Sequence, residues 1–96
     1  MISPSSVVVA ASDQISSDLA GEAVILHLGQ GMYYGLDEVG ARIWQLVQQP
    51  CTPAEICGAI VAEYDVVPER CQEDVLALLG ELAAAELIEV RDGGAA

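Results

Sequence analysis

The side chains in this sequence that could carry out bond chemistry are few and badly spaced for it. Cys51, Cys57 and Cys71 form no CxxC pair, and an odd number of cysteines argues against a disulfide framework, so reduced structural thiols are the simplest reading. A metal site needs closely spaced ligands, and the lone His27 lies far along the chain from all three cysteines. No GxSxG elbow, HExxH pair or phosphate-binding glycine loop is present. The sequence therefore predicts no catalytic residue, no bound metal and no cofactor. What remains is the chemistry of recognition. Tyr33 and Tyr34 stand side by side in a β-rich run, and Glu73, Asp74 and Glu81 share helical spacing further on. Adjacent strand residues point to opposite faces, so one tyrosine packs inward and the other lies outside. Spacing leaves open whether either lines a groove or both are ordinary strand aromatics. The three acids are equally readable as a solvated helix face or as a site for a cation.

Charge narrows the partners. Fifteen acidic residues face three arginines and no lysine, a formal net charge of −12. Nucleic-acid affinity rests largely on phosphate neutralisation by Lys and Arg, so a polyanion would be repelled and a basic peptide or protein attracted. The chain has no apolar run near the ~18 residues that a membrane span needs. Its start, MISPSSVVVAAS, lacks the basic and long apolar regions of a secretory signal, so a cytoplasmic protein is expected.

The elements that must position these side chains follow from pattern. Ala23 to Leu28 is an apolar β-forming run, Gly29, Gln30 and Gly31 form a glycine turn, and Met32 to Leu36 is a second short run. Together they predict a β-hairpin. The second run ends abruptly at Asp37, a helix N-cap, which predicts a strand at a sheet edge with unpaired backbone groups. Upstream, Val7 to Ala11 and the weakly alternating residues up to Asp18 predict a further strand, giving a small antiparallel sheet of about three strands. Such a sheet is marginal alone and must lean on helices.

Three helices are predicted. Val39, Ile43, Leu46 and Val47 recur at helical spacing after Asp37, with Trp44 beside them, up to Pro50. Thr52, Pro53, Ala54 and Glu55 form a capping box with proline in the first turn, opening a helix whose buried stripe is Ile56, Ile60 and Tyr64. Pro68 opens a third, in which Cys71, Val75, Leu78, Leu79 and Leu82 repeat at three and four as far as Ala85, although Val67 cannot cap it. Leu87 to Arg91 could add a short last strand, and the GGAA tail is read as frayed. The chain is 53% hydrophobic but only 4% aromatic, so one aliphatic core with Trp44 as its largest candidate is expected. The fold class is α+β, winged helix-turn-helix-like: a three-stranded N-terminal sheet, three helices and a short C-terminal strand. A single domain spans residues 1–96, with an ordered core of about 5–91.

That outline raises DNA binding, and the third helix argues against it: Arg70 stands alone against Glu69, Glu73, Asp74, Glu81 and Glu86. A DNA-reading helix must enter a groove lined by phosphates.

The runs EAVILHLGQGMYYGLDEVGARIWQLV, TPAEICGAIVAEYDV and PERCQEDVLALLGELAAAELI resemble the PqqD-like family and, more narrowly, the stand-alone leader-recognition proteins of lasso-peptide biosynthesis. The resemblance covers about Val7 to Val90, and YYGLDEVGARIW is its specific part, with Asp37 where the family commonly has asparagine. It implies a non-catalytic recognition element for ribosomally made peptides, which takes the leader of a precursor peptide as an added strand. It also implies a leader peptidase of the cysteine-protease type as partner enzyme, and a leader tyrosine and proline held in an apolar pocket. Carried onto this sequence, Met32, Tyr33, Tyr34, Gly35 and Leu36 would offer backbone pairing, and Asp74, Val75, Leu78, Glu81 and Leu82 would form the helical wall. A winged-helix regulator or protein adaptor is the alternative.

Overall fold

Buried and exposed side chains alternate along Glu22–His27, with Ala23, Ile25 and His27 facing in and Glu22 and Val24 facing out, and this is the middle strand of a three-stranded sheet. The computed structural model describes residues 2–19 and 21–91. In chain order the elements are β1 (Val7–Ala10), β2 (Gln14–Leu19), β3 (Glu22–His27), β4 (Met32–Leu36), α1 (Glu38–Leu46), α2 (Pro53–Glu63), α3 (Pro68–Ala84) and β5 (Ile88–Arg91). The sheet runs β2-β3-β4, antiparallel throughout, with Ile25 opposite Ser16 on one side and Tyr34 on the other. The α+β order expected from the sequence is therefore the observed one.

The N-terminal run is divided differently from the simplest expectation. Val7–Ala10 does not join the main sheet but pairs with β5 in a separate two-stranded ribbon, Val8 opposite Val90. Val8 is fully buried there, and its N–H and C=O also exchange bonds with Cys51 at 2.7 and 3.0 Å. A β-branched run suits this place, where Val8 is buried and Val7 and Val9 are half-buried, whereas the more polar Gln14–Leu19 takes the outer place in the main sheet. The reading of the GGAA tail as frayed concerns residues outside those described.

The β3–β4 turn runs over residues 28–31, one residue longer than the predicted loop. Of its two glycines only Gly31 has positive φ, at 68°, and its N–H donates to the His27 carbonyl at 2.7 Å. The Gln30 N–H donates to His27 Nδ1 at 3.1 Å, which makes this nearly buried histidine part of the turn.

Asp37 caps α1 by accepting from the Gly40 N–H at 2.8 Å. This helix stops at Leu46, short of Pro50, and the Val47 carbonyl instead accepts from the Ala10 N–H at 2.7 Å. The capping box of α2 is complete: the Glu55 N–H donates to Thr52 Oγ1 at 3.2 Å and the Thr52 N–H to Glu55 Oε1 at 2.8 Å. As expected, Val67 gives α3 no side-chain cap. This helix ends instead in a reciprocal C-terminal motif, with Leu87 N–H donating to the Leu82 carbonyl at 2.9 Å and Glu86 N–H to that of Ala83 at 3.0 Å. Glu86 adopts φ 61°, a place usually taken by glycine.

Ile25, Val47, Ile56, Ile60, Val75, Leu79, Leu82 and Leu87 form one continuous core with Trp44, which is 4% exposed. Across the outside of the helices, Arg42 Nε and Nη2 meet Glu63 Oε1 and Oε2 at 2.8 and 2.9 Å and fix α1 against α2.

Candidate functional site

The second strand of the hairpin is an edge. Among the described residues β4 pairs only with β3, so the N–H and C=O groups on its other side are open to a further strand. Beside this edge lies a groove of about 660 Å³ between β4, α1 and α3. Tyr34 and Leu36 border it from the strand, Val39 and Ile43 from α1, Ile60 from α2, and Asp74, Val75, Leu78 and Glu81 from α3. A second cavity of about 400 Å³ continues towards the hairpin turn, between Met32, Tyr33 and Tyr34 on one side and Glu81, Ala84, Ala85 and Leu87 on the other. The two share Tyr34 and Glu81, whose Oη and Oε1 atoms are 3.2 Å apart. Burial first, and the Glu81 carboxylate second, raise the Tyr34 phenol above its ordinary value, so at neutral pH the tyrosine is the donor.

β2 is the sheet's other edge and offers much less. Its flanking cavity is about 240 Å³ and is bordered by Ser16, Ser17, Asp18, Gln45 and Gln48 around Trp44. Of the two edges of this sheet, β4 has the larger cavity beside it.

Comparison with known proteins fits this geometry. The family model described as coenzyme PQQ synthesis protein D (PqqD) matches residues 22–88, from β3 into β5. The chain belongs to the PqqD family. Among solved structures, TbiB1 in complex with the TbiA(beta) leader peptide is 41% identical, with a TM-score of 0.79, 84% of this chain and 94% of that chain being covered. Lasso peptide synthetase B1 complexed with the leader peptide shares the fold at 21% identity and a TM-score of 0.75, with coverage of 85% and 96%. No curated protein sequence matches the chain.

In this PqqD-family chain the residues singled out from the sequence come together in part. Tyr34, Gly35, Leu36, Asp74, Val75, Leu78 and Glu81 border the larger cavity, and Met32 and Tyr33 join Tyr34 and Glu81 at the smaller one. Tyr33 is 72% exposed and alternates to the outer face of the sheet, so only its flank reaches the groove. Leu82 lines neither cavity and is fully buried. On α3 Leu79 and Leu82 face the core away from the groove, Cys71 and Val75 are buried at the boundary between the two, and Arg70, Asp74, Leu78 and Glu81 line the groove. The floor supplied by Val39, Ile43 and Ile60 was not singled out, because from sequence these read simply as core positions of α1 and α2.

Cys71 borders the groove as a buried thiol, while Cys51 and Cys57 lie away from it. Burial first, and the neighbouring Cys71 second, push the Cys57 thiol up to about 11, and burial also raises Cys51. Such thiols are protonated and weakly nucleophilic at neutral pH. Among the described residues no group of three His, Cys, Asp or Glu side chains is placed to hold a metal ion, and no helix is long and apolar enough to cross a membrane.

Proposed function

We propose that this chain is a single-domain, non-catalytic recognition element that binds the leader segment of a ribosomally made lasso precursor in the cytosol and presents it to a leader peptidase of the cysteine-protease type. The observation that carries this reading is the open β4 edge lying along an apolar groove, in a family member whose 41% identical structural relative is a leader-peptide complex.

The leader enters as a fourth strand beside β4. Every second residue of β4 turns its N–H and C=O outward, and each bond made there is worth about 0.5–1.5 kcal/mol net. Association and ordering cost about 4–15 kcal/mol, so backbone pairing alone would be weak and indifferent to sequence. Inward side chains of the added strand fill the cavities bordered by Leu36, Leu78 and Met32, and each well-buried apolar side chain adds about 1.5–3 kcal/mol. Acidic residues on α3 speed the encounter with a basic leader more than they tighten it.

The test is an N-methyl scan of a synthetic leader, read by fluorescence anisotropy. Loss of binding at alternate residues is the expected signature of strand pairing, and uniform tolerance would refute it. A winged-helix regulator reading has no matching support, since the face of α3 beside the groove sets Arg70 alone against Asp74 and Glu81 and would on balance repel phosphates.

A further inference from the structure

One hydrogen bond divides the groove. The larger and smaller cavities lie end to end between β4 and α3, and Tyr34 Oη donating to Glu81 Oε1 at 3.2 Å forms the bar between them. A second crossbar starts from Gln30, which borders the smaller cavity on the hairpin turn and whose Nε2 donates to Glu86 Oε2 just beyond α3. In both bars a neutral donor occupies a glutamate.

The pitch of a strand fixes what a docked chain would bring to the bar. Met32, Tyr34 and Leu36 all lie on the inner face of β4, and successive residues on one face are about 7 Å apart. A strand laid along this edge keeps the same pitch. One inward side chain therefore stands over the larger cavity near Leu36, the next but one over Tyr34 and Glu81, and the third over the smaller cavity near Met32. An apolar middle side chain would cover Glu81 and strip it of water without offering a partner, which is unfavourable for a carboxylate. A hydroxyl or a cationic N–H would instead take the tyrosine's place on that carboxylate, and a cationic donor adds the attraction of its own charge to a hydrogen bond that the neutral phenol makes without one.

We propose that the Tyr34–Glu81 bond is a selectivity gate: the groove accepts an extended peptide carrying a hydrogen-bond donor side chain between two apolar ones, each two residues away, and the donor takes Glu81 over from Tyr34. The proposal rests on the leader-binding reading and specifies the chemistry of the leader. Tyr34 is then a competitor that keeps the carboxylate satisfied in the free protein, and Glu81 is the specificity-determining group. The chain's net charge of −12 makes a cationic donor the favoured one.

The test uses the full chain and a fluorescein-labelled synthetic leader of its own precursor, with analogues in which each donor-bearing residue is replaced singly by norleucine. Tyr34→Phe removes the competitor and should tighten binding about three- to tenfold, through faster association. Glu81→Gln should weaken binding by a similar factor. One norleucine replacement should cost the wild type about tenfold and the Glu81→Gln protein almost nothing, which is the signature of a direct contact. Should Tyr34→Phe fold poorly, the coupling to Glu81→Gln decides alone. Leader binding by the wild type with no analogue coupled to Glu81 would overturn the gate and leave the leader-binding reading intact. No leader binding by the wild type would overturn both.

Discussion

Leu78→Asp distinguishes a groove on α3 from a merely structural helix. Leu78 is half-buried, borders the larger cavity and is four residues from Asp74 and three from Glu81, so it is the apolar member of the groove-facing stripe. Losing the proposed contact with a buried leader side chain should remove about 1.5–3 kcal/mol. The arginine that shares this groove, Arg70, already has a carboxylate beside it, its Nε 3.6 Å from Asp74 Oδ1, so the new carboxylate would have to share that cation. Binding should therefore weaken by between about tenfold and about a hundredfold, and by more if the charge is fully covered. The assay is anisotropy of a labelled leader, with urea unfolding as the control for the fold. Leu82→Ala is the matched comparison. It removes a fully buried core side chain, so about 2–5 kcal/mol of stability should go while the groove keeps its lining. An unchanged Kd for folded Leu78→Asp would refute the placement of the site, whatever the stability data show.

Two further outcomes follow from local geometry. Glu86→Gly relieves a left-handed backbone at φ 61°, which costs a non-glycine residue about 1–2 kcal/mol, partly offset by the entropy of glycine in the unfolded chain. The urea midpoint should rise by an amount equivalent to about 0.5–1 kcal/mol, and a fall would show that the Gln30–Glu86 contact matters more than the strain. Glu63 is held below the usual carboxylate range, chiefly by its hydrogen bonds from Arg42. A depressed folded-state pKa gives stability that is present above the unfolded value and lost as pH falls through the folded one. Unfolding midpoints should therefore drop on acidification below the ordinary glutamate pKa, and Arg42→Met should flatten part of that slope. Identical pH profiles would sink the assignment.

The parts of this fold that were legible in the sequence are those decided within a few residues. Thr52, Pro53 and Glu55 specify the start of α2 by themselves, and Asp37 specifies that of α1. The edge character of β4 was legible for the same reason: a glycine turn on one side and a helix cap on the other leave little room for anything else. Pairing between β1 and β5 was not, because nothing near Val8 records that Val90 will lie opposite it. Leu82 illustrates a subtler limit. Apolar spacing along α3 identifies a stripe that avoids water, but a helix wedged between a core and a groove has two adjoining stripes, and Leu78 and Leu82 carry the same residue type. Only the position of α1 and β4 separates them. Glu86 gave no signal either, since a helix stop is ordinarily read from glycine.

On the proposed reading, the groove's suitability for selection comes from what lies beneath it. Leu36, Ile43 and Val75 are 7%, 3% and 1% exposed, so its floor is the outer layer of the packed core and does not need ordering when a peptide arrives. The opposite wall is held differently. The bonds between the hairpin and the end of α3, Tyr34 to Glu81 and Gln30 to Glu86, lie at the protein surface, where such contacts are weak and exchange readily. A rigid floor keeps the entropic cost of binding low, and a wall joined through replaceable contacts lets the groove take a side chain between strand and helix without disturbing the core. On that reading, pairing along β4 contributes affinity for any extended chain, while discrimination among chains falls to the half-open space beside it.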